Sequence, residues 1–513
     1  MYAMTYSLIQ DGFDVRQVEV ECHLSSGLPS FKISGLPSTA VRESRERVRA
    51  AIKSSGFEFP RRRITMNLAP AHLPKYGTHM DLAMAVSLLK ASGQIGSDFS
   101  KDSYVLGELN LQGQFNSSSQ CFNLILGALH QNLKNRFVIP VALSSQLTDI
   151  SISAILLQQL ACLKKTEYPK HIYQKNDHRI KSEINALDLF SDIIGQYSAL
   201  RALQISLAGH HHLLLVGPPG CGKSLIAEKL KNLPNILDKN EYWQSKRLFS
   251  MSSLQNQLGV KELPVRCPHH SASAKGIIGG GRPIIPGEVS LSHRGYLILD
   301  ELPEFKRDVL ESLRQIMQSH RVHLSHGFER TTLPAVTTVL ATMNPCPCGY
   351  YNSEVAGTSC RCLPQQIHNY QSRVSGPLLD RFSISVSLQI DDGVKDQSSL
   401  IDHKESWPSI IRARSIQKSR YKQDLNPNTT FATYFNGQVA EDKFQKITGL
   451  RPGRFSKPYS LKISNRKHSQ LLRIAQTIAD LEDSHVKQEH FDEALYLQQF
   501  IQSPLRSIKV PIK

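Results

Sequence analysis

His212-Leu213-Leu214-Leu215-Val216-Gly217-Pro218-Pro219-Gly220-Cys221-Gly222-Lys223-Ser224 is the stretch whose reading decides the fold. An apolar strand enters it, Gly217 to Ser224 matches G-x-x-x-x-G-K-S, and a helical pattern continues from Leu225 to Leu230. Such a strand–turn–helix junction lets glycine-rich backbone wrap phosphates, and the helix start adds a favourable dipole. Gly217, Pro218, Pro219, Gly220, Cys221 and Gly222 would form the cradle. Lys223 would reach the β- and γ-phosphates of ATP, and the Ser224 hydroxyl would bind Mg²⁺.

The chemistry continues downstream. Tyr296-Leu297-Ile298-Leu299 is a second apolar strand ending at Asp300-Glu301. Asp300 is placed to hold Mg²⁺ and its waters, and Glu301 to orient and deprotonate the attacking water. A third strand, Val336 to Thr342, ends at Met343-Asn344, where a polar side chain can sense the γ-phosphate. Phosphoryl transfer also needs cationic charge, often from an arginine supplied in trans. Arg381, just before a strand from Ser383 to Leu388, is the candidate, with Arg373 as the alternative. Arg381 could instead pair with Asp380. Arg466 could reach the nucleotide from a C-terminal helix or lie solvated on that helix.

Around this centre the chain divides into three. Residues 1–165 mix strand-like pieces (Val18 to Leu24, Ser30 to Ser34, Arg63 to Leu68) with helical ones (Ser38 to Ser54, Asp81 to Leu89). A polar linker is expected over 166–181. Residues 182–390 alternate short strands and helices, as a parallel α/β core requires. Residues 391–513 read as mostly helical, with helices capped by Ser464 and spanning Gln488 to Ile501. At 513 residues, 40% hydrophobic and 20% charged, each part can bury a core. The formal charge of +17, from 61 basic and 44 acidic residues, favours an anionic polymer such as nucleic acid as partner. No signal peptide opens the chain and no apolar run is long enough to span a bilayer, so a cytoplasmic location is expected.

Cys346-Pro347-Cys348 and Cys360-Arg361-Cys362 form two C-x-C pairs. Four thiolates in two close pairs suit tetrahedral Zn²⁺, although C-x-x-C is the commoner spacing and four reduced cysteines in a loop are the alternative.

Several further segments, Val41 to Lys53, Asn67 to Ala71, Pro268-His269-His270-Ser271, Gly279 to Pro283, Leu299 to Phe305 and Met343 to Gly349, resemble the magnesium-chelatase-like AAA+ ATPases of the ComM/YifB type over almost the whole chain. The resemblance implies an AAA+ P-loop core, a parallel sheet flanked by helices, with an N-terminal Lon-protease-like (S5-type) α+β domain and a C-terminal helical lid. It implies a hexameric ring that acts as a DNA helicase, promoting branch migration and integration of DNA in natural transformation, with recombination proteins as possible partners. In that pattern Arg381 matches the trans-acting arginine finger, Arg466 matches sensor 2, Asn344 matches sensor 1, and Gly195-Gln196 lie beside the adenine. His79 stands where a Lon-type serine would be, and no lysine stands near Cys121-Phe122-Asn123, so proteolysis is not expected. Arg61-Arg62-Arg63 is a candidate DNA contact, with a solvated charge run as the alternative. DNA would line a central pore through a glycine-rich insertion at 274–283 and a hairpin at 321–333 turning at His326-Gly327. Lys275, Arg282, His326 and Arg330 are the contact candidates. Ser224 replaces the family's usual threonine, and Ile236 to Pro264 diverges; neither removes the ATPase chemistry. The rival readings are a chelatase motor and a remodelling ring without DNA translocation.

Overall fold

The computed structural model describes residues 1–116, 119–134, 136–147, 150–165, 170–173, 196–233, 237–252, 254, 263–281, 284–326, 329–352, 359–389, 403–422, 432–455 and 464–498. Among them the N-terminal part builds an eight-stranded mixed sheet. Its order is Lys170–Tyr173, Ile152–Leu157, Arg136–Pro140, Tyr104–Val105, Tyr2–Asp11, Asp14–Ser25, Arg63–Ala69, Ser30–Ser34. Side chains alternate across a strand, so one sheet supplies two cores. Ile9, Val18, Val20 and Leu24 face helices Thr39–Ser54 and Asp81–Ala91. Leu8, Val15, Tyr104 and Phe137 face helix Ser119–His130 on the other side. The Ser38 hydroxyl caps the first of these helices by accepting from the Val41 N–H. Strand Lys170–Tyr173 lies inside the segment expected to be a linker; it pairs antiparallel with Ile152–Leu157, so the sheet extends into that segment. His79 is fully buried, with Nε2 2.8 Å from the Leu8 carbonyl oxygen.

A second sheet is wholly parallel, in the order Val265–Arg266, Tyr296–Leu299, Thr338–Met343, Leu213–Val216, Ile384–Ser387. Its central strands are buried on both faces, which explains their unbroken apolar runs. Helix Tyr197–Gly209 precedes the Leu213–Val216 strand and serves as the platform for C-terminal helices His403–Lys422 and Asn465–Leu481. Ser464 caps the latter, accepting from the Lys467 N–H, and Gln488–Tyr496 packs beside it. Buried Asp480 ties these helices together, accepting from Arg420, Asn436 and Gln476.

The two sheets meet at the first hairpin turn. Phe13 enters the core of the parallel-sheet part, and the buried Arg247 guanidinium lies 4.2 Å over its ring. The three Arg247 guanidinium nitrogens have no hydrogen-bond partner, and burial pushes the group down to about 10. Gly127 makes this approach possible: a Cβ there would stand 2.9 Å from Arg247 Nη2. A Cβ on Gly12 would stand 2.5 Å from Thr331 Cγ2, so the same turn also touches the hairpin Arg321–His326/Glu329–Pro334.

Five buried histidines surround the starts of the parallel strands. His212 Nδ1 accepts from Val339 N–H and His293 Nδ1 from Val336 N–H, both at 3.0 Å, which a protonated ring nitrogen cannot do. His210 and His211 meet Thr338 and Thr477 hydroxyls, and His320 meets the Gln438 carbonyl. Burial pushes His211 and His212 down to about 3, His320 to about 4, and His210 and His293 well below the ordinary histidine range. The unfolded chain therefore binds more protons than the folded one below about pH 6.5. Stability is complete above that value and falls as the pH drops toward the folded values. Each such histidine costs up to about 1.4 kcal/mol per pH unit in that window. A melting series from pH 7.5 to 4.5 should show a steep fall beginning near pH 6.5; a flat profile down to pH 5 would contradict the buried-neutral assignment.

Candidate functional site: a phosphate-binding edge

The parallel register decides what meets at the sheet edge. Val216 lies opposite Met343, and Leu299 opposite Ala341, so two strands finish level and the third stops two residues earlier, its next residues Asp300-Glu301 lying at the same edge. Gly217–Ser224, Asp300-Glu301 and Asn344 follow those strand ends directly. In open parallel sheets this carboxyl edge is where ligands bind.

The loop at 217–222 owes its shape to its glycines. Gly220 and Gly222 have φ of +79° and +90°, which side chains other than glycine rarely adopt. A Cβ on Gly217 would stand 2.7 Å from the Leu388 carbonyl oxygen. Gly222 then leads into helix Lys223–Lys229. Lys223 is half-buried, and its Nζ donates to the Gly217 and Pro218 carbonyls at 2.7 Å, so the ammonium lies along the loop. Burial lowers its pKa. Ser224 Oγ donates to Asp300 Oδ2 at 3.2 Å, bringing the hydroxyl and carboxylate expected to hold Mg²⁺ together.

Thr342, which sequence reasoning passed over as a strand residue, organises the acidic pair. Its hydroxyl donates to Asp300 Oδ1 and accepts from the Glu301 N–H at 3.1 Å. Glu301 has φ of +55°, which turns its carboxylate out of the strand line. His270 Nδ1 lies 3.6 Å from Glu301 Oε2. These two residues, Glu304, Asn344, Pro347, Gln366, Asn369, Tyr370 and Arg373 line an open cavity of about 620 Å³. Burial, reinforced by Glu304, pushes the Tyr370 hydroxyl up to about 12. Arg373 pairs with Glu304 at 2.9 Å, which makes it the arginine on this cavity wall.

The other expected residues lie elsewhere. Arg381 donates to Gln318, on helix Arg307–Ser319. Asp380 pairs with Lys467 at 3.6 Å, so the Arg381–Asp380 bridge considered from sequence is not what forms. Arg466 is exposed in the first turn of Asn465–Leu481. Gln196 opens helix Tyr197–Gly209 and donates to the Gln389 carbonyl beside the loop strand; Gly195 lies outside the described residues. Lys275, in the short helix Ala274–Ile278, and Arg330, in the hairpin, are exposed, as are Arg61, Arg62 and Arg63. Arg282 lies outside the described residues, as does the side chain of His326. The backbone of His326 pairs with Glu329, so it ends the strand rather than forming the turn expected from sequence. The glycine-rich strand Gly279–Gly280 touches hairpin strand Arg321–His326, so the two projections are neighbours.

The four cysteines do converge. Cys346 Sγ lies 3.3 Å from Cys348 Sγ and 3.7 Å from Cys360 Sγ, Cys348 lies 3.6 Å from Cys360, and all four sulfurs fall within 4.8 Å of one another. A tetrahedron with Zn–S bonds of about 2.3 Å has edges of about 3.8 Å, so the donor set fits. Backbone N–H groups of Tyr350 and then Arg361 pull the Cys348 thiol down to about 6, while burial pushes Cys346 up to about 12.

Three family models match the chain. Residues 189–395 match the family model for magnesium chelatase, subunit ChlI; residues 20–142 match that for subunit ChlI of Mg-chelatase, and residues 404–498 match its C-terminal part. The chain is 36% identical to competence protein ComM of Haemophilus influenzae over 516 residues, covering 96% of each chain. It is 34% identical to YifB of Salmonella typhimurium, covering 94% of each. A more distant similarity, 24% over 236 residues, links 45% of this chain to 29% of a probable DNA helicase, MCM9, of Arabidopsis thaliana. Among the described residues no helix is long and apolar enough to cross a membrane.

The Thr342 bridge predicts a specific defect. Thr342→Val keeps the shape but removes the hydroxyl that places Asp300 and Glu301. ATP affinity should change little, while kcat should fall on the order of tenfold to a hundredfold, as misplacement of catalytic groups does. Unchanged kcat would show that the acidic pair is held by other means.

Proposed function

The chain belongs to the ComM/YifB-type family of magnesium-chelatase-like AAA+ ATPases, and on that premise we propose that it is an ATP-driven DNA translocase or helicase promoting branch migration. In this reading it forms a hexameric ring in the cytoplasm and helps incoming DNA recombine into the chromosome during natural transformation, alongside recombination proteins. Residues 1–165 are a Lon-protease-like domain without proteolytic activity, in keeping with the buried His79. Residues 182–390 are the ATPase, and 391–513 a helical lid over the nucleotide.

The observation that carries the reading is the arrangement along one strand. Thr338–Met343 leads to Asn344 and the phosphate-binding edge at its finish, and the exposed hairpin Arg321–Pro334 feeds its start. A single rigid element thus connects nucleotide chemistry to a projection bearing Arg330. The family implies ATP and Mg²⁺, and the residues present fit both. Mg²⁺, when bound, neutralises phosphate charge. Ser224 and Asp300 would hold it. Lys223 binds and orients the phosphates, Glu301 aligns water and takes its proton, and Asn344 fixes that water's position. Arg381, held by Gln318, would serve the nucleotide of a neighbouring subunit, and Arg466 would reach the nucleotide from the lid. Contacts through Lys275, Arg282, His326 and Arg330 would be to phosphates and so independent of sequence. The four cysteines would hold a structural Zn²⁺.

The test is ATP-dependent migration of a labelled three- or four-stranded junction. Wild type should resolve the junction and Lys223→Ala should not. Junctions left unmoved by a wild type that hydrolyses ATP would remove the DNA reading in favour of a chelatase-like or protein-remodelling motor.

A further inference from the structure

The cysteine cluster stands closer to the ATP site than its sequence position conveys. Its first pair begins two residues after Asn344, and Gly349 closes the turn, its N–H donating to the Cys346 carbonyl at 3.0 Å. Gly349 has φ of +87°, and a Cβ there would stand 2.4 Å from Pro219 Cδ and 2.7 Å from Cγ. The turn carrying Cys346 and Cys348 is therefore pressed against the phosphate-binding loop itself. The second pair anchors a different element. Cys362 immediately precedes Leu363, the cap of helix Pro364–Gln371. That helix supplies Gln366, Asn369 and Tyr370 to the cavity beside Glu301 and Asn344. Gln371 returns to the first pair, donating to the Pro345 carbonyl at 2.9 Å.

From this geometry we propose that the four-cysteine site is a metal-dependent brace of the phosphate-binding loop, so that Zn²⁺ and ATP binding reinforce each other. The proposal rests on the zinc reading above. A metal joining Cys346 and Cys348 to Cys360 and Cys362 fixes two walls at once, the turn behind Pro219 and the helix facing Glu301. Nucleotide needs the 217–222 loop in one shape, and Gly349 packs against that loop. Two ligands that favour the same arrangement of shared elements must raise each other's affinity by the same factor. Loss of the metal, by chelation or by oxidation of the thiols, would then weaken ATP binding without touching any residue that contacts ATP.

The experiment uses the full chain bearing Glu301→Gln, so that bound ATP persists. Zn²⁺ release into a chromogenic chelator is timed with and without ATP and Mg²⁺. Saturating ATP should slow release on the order of tenfold, within the usual range of coupling between sites. The same ATP should give no protection in Lys223→Ala, which controls for chelation of zinc by ATP itself. Gly349→Ala retains all four thiolates but disturbs the contact with Pro219; it should still bind one Zn²⁺ per chain and lose the protection. Zinc that leaves at one rate with or without ATP overturns the coupling while leaving the zinc site standing. A folded, reduced chain that binds no zinc overturns the zinc reading and the coupling with it, and leaves the DNA motor to its own test.

Discussion

Everything chemical in this molecule depends on the carboxyl ends of three parallel strands meeting at one edge in a fixed register. Leu213–Val216, Thr338–Met343 and Tyr296–Leu299 are locked by backbone hydrogen bonds that slip only in whole residues, and a one-residue slip would turn every side chain to the opposite face. The register sets Asp300 beside Ser224 and Thr342 beneath the acidic pair. Because the strands are buried on both faces, their apolar residues hold that register, packed by helices Tyr197–Gly209 and Lys223–Lys229 among others. The site is rigid because its supports are core.

The opposite end of the same sheet carries a different constraint. Five neutral histidines and the buried Arg294, Arg414 and Glu241 fill the joint between strand starts and C-terminal helices. Lys418 pairs with Glu241 at 2.8 Å, and Arg294 donates to the Ala432 carbonyl at 2.7 Å. A polar joint of this kind is directional where an apolar one is not: its hydrogen bonds fix how the helical part sits on the sheet, and partly satisfied versions are costly. A region whose orientation matters for an ATPase is therefore held by geometry as well as by area.

The sequence made the local parts of the site readable. The loop at 217–224, the acids at 300–301 and Asn344 sit in runs whose pattern is their chemistry, and the strand and helix positions around them followed from period and caps. What escaped was set by contacts between distant residues. Thr342 matters because of its register with Asp300, which no periodicity displays. Asp380 met Lys467, not its neighbour Arg381, because the C-terminal helix arrives there. His210, His211 and His212 carry polar rings that no local pattern marks as interior, yet burial makes them core. Strand Lys170–Tyr173 hid in a polar stretch because an edge strand needs little apolar character of its own. The turn near His326 was misplaced by one residue because a glycine marks a turn without fixing which neighbours still pair.

Two close backbone approaches frame the ATPase part from opposite ends. At the carboxyl edge Gly349 lies against Pro219, and toward the strand starts Gly12 lies against Thr331 of the hairpin. Neither place leaves room for a methyl group, so neither contact can tighten further and each transmits displacement rather than absorbing it. A shift of the phosphate-binding loop must be met by the cysteine turn. A shift of the hairpin must be met by the first turn of the N-terminal sheet, which is itself pinned by Phe13 beneath Arg247. The N-terminal part is therefore packed directly on the hairpin: displacing the hairpin would either carry the N-terminal sheet along or break the contact at Gly12.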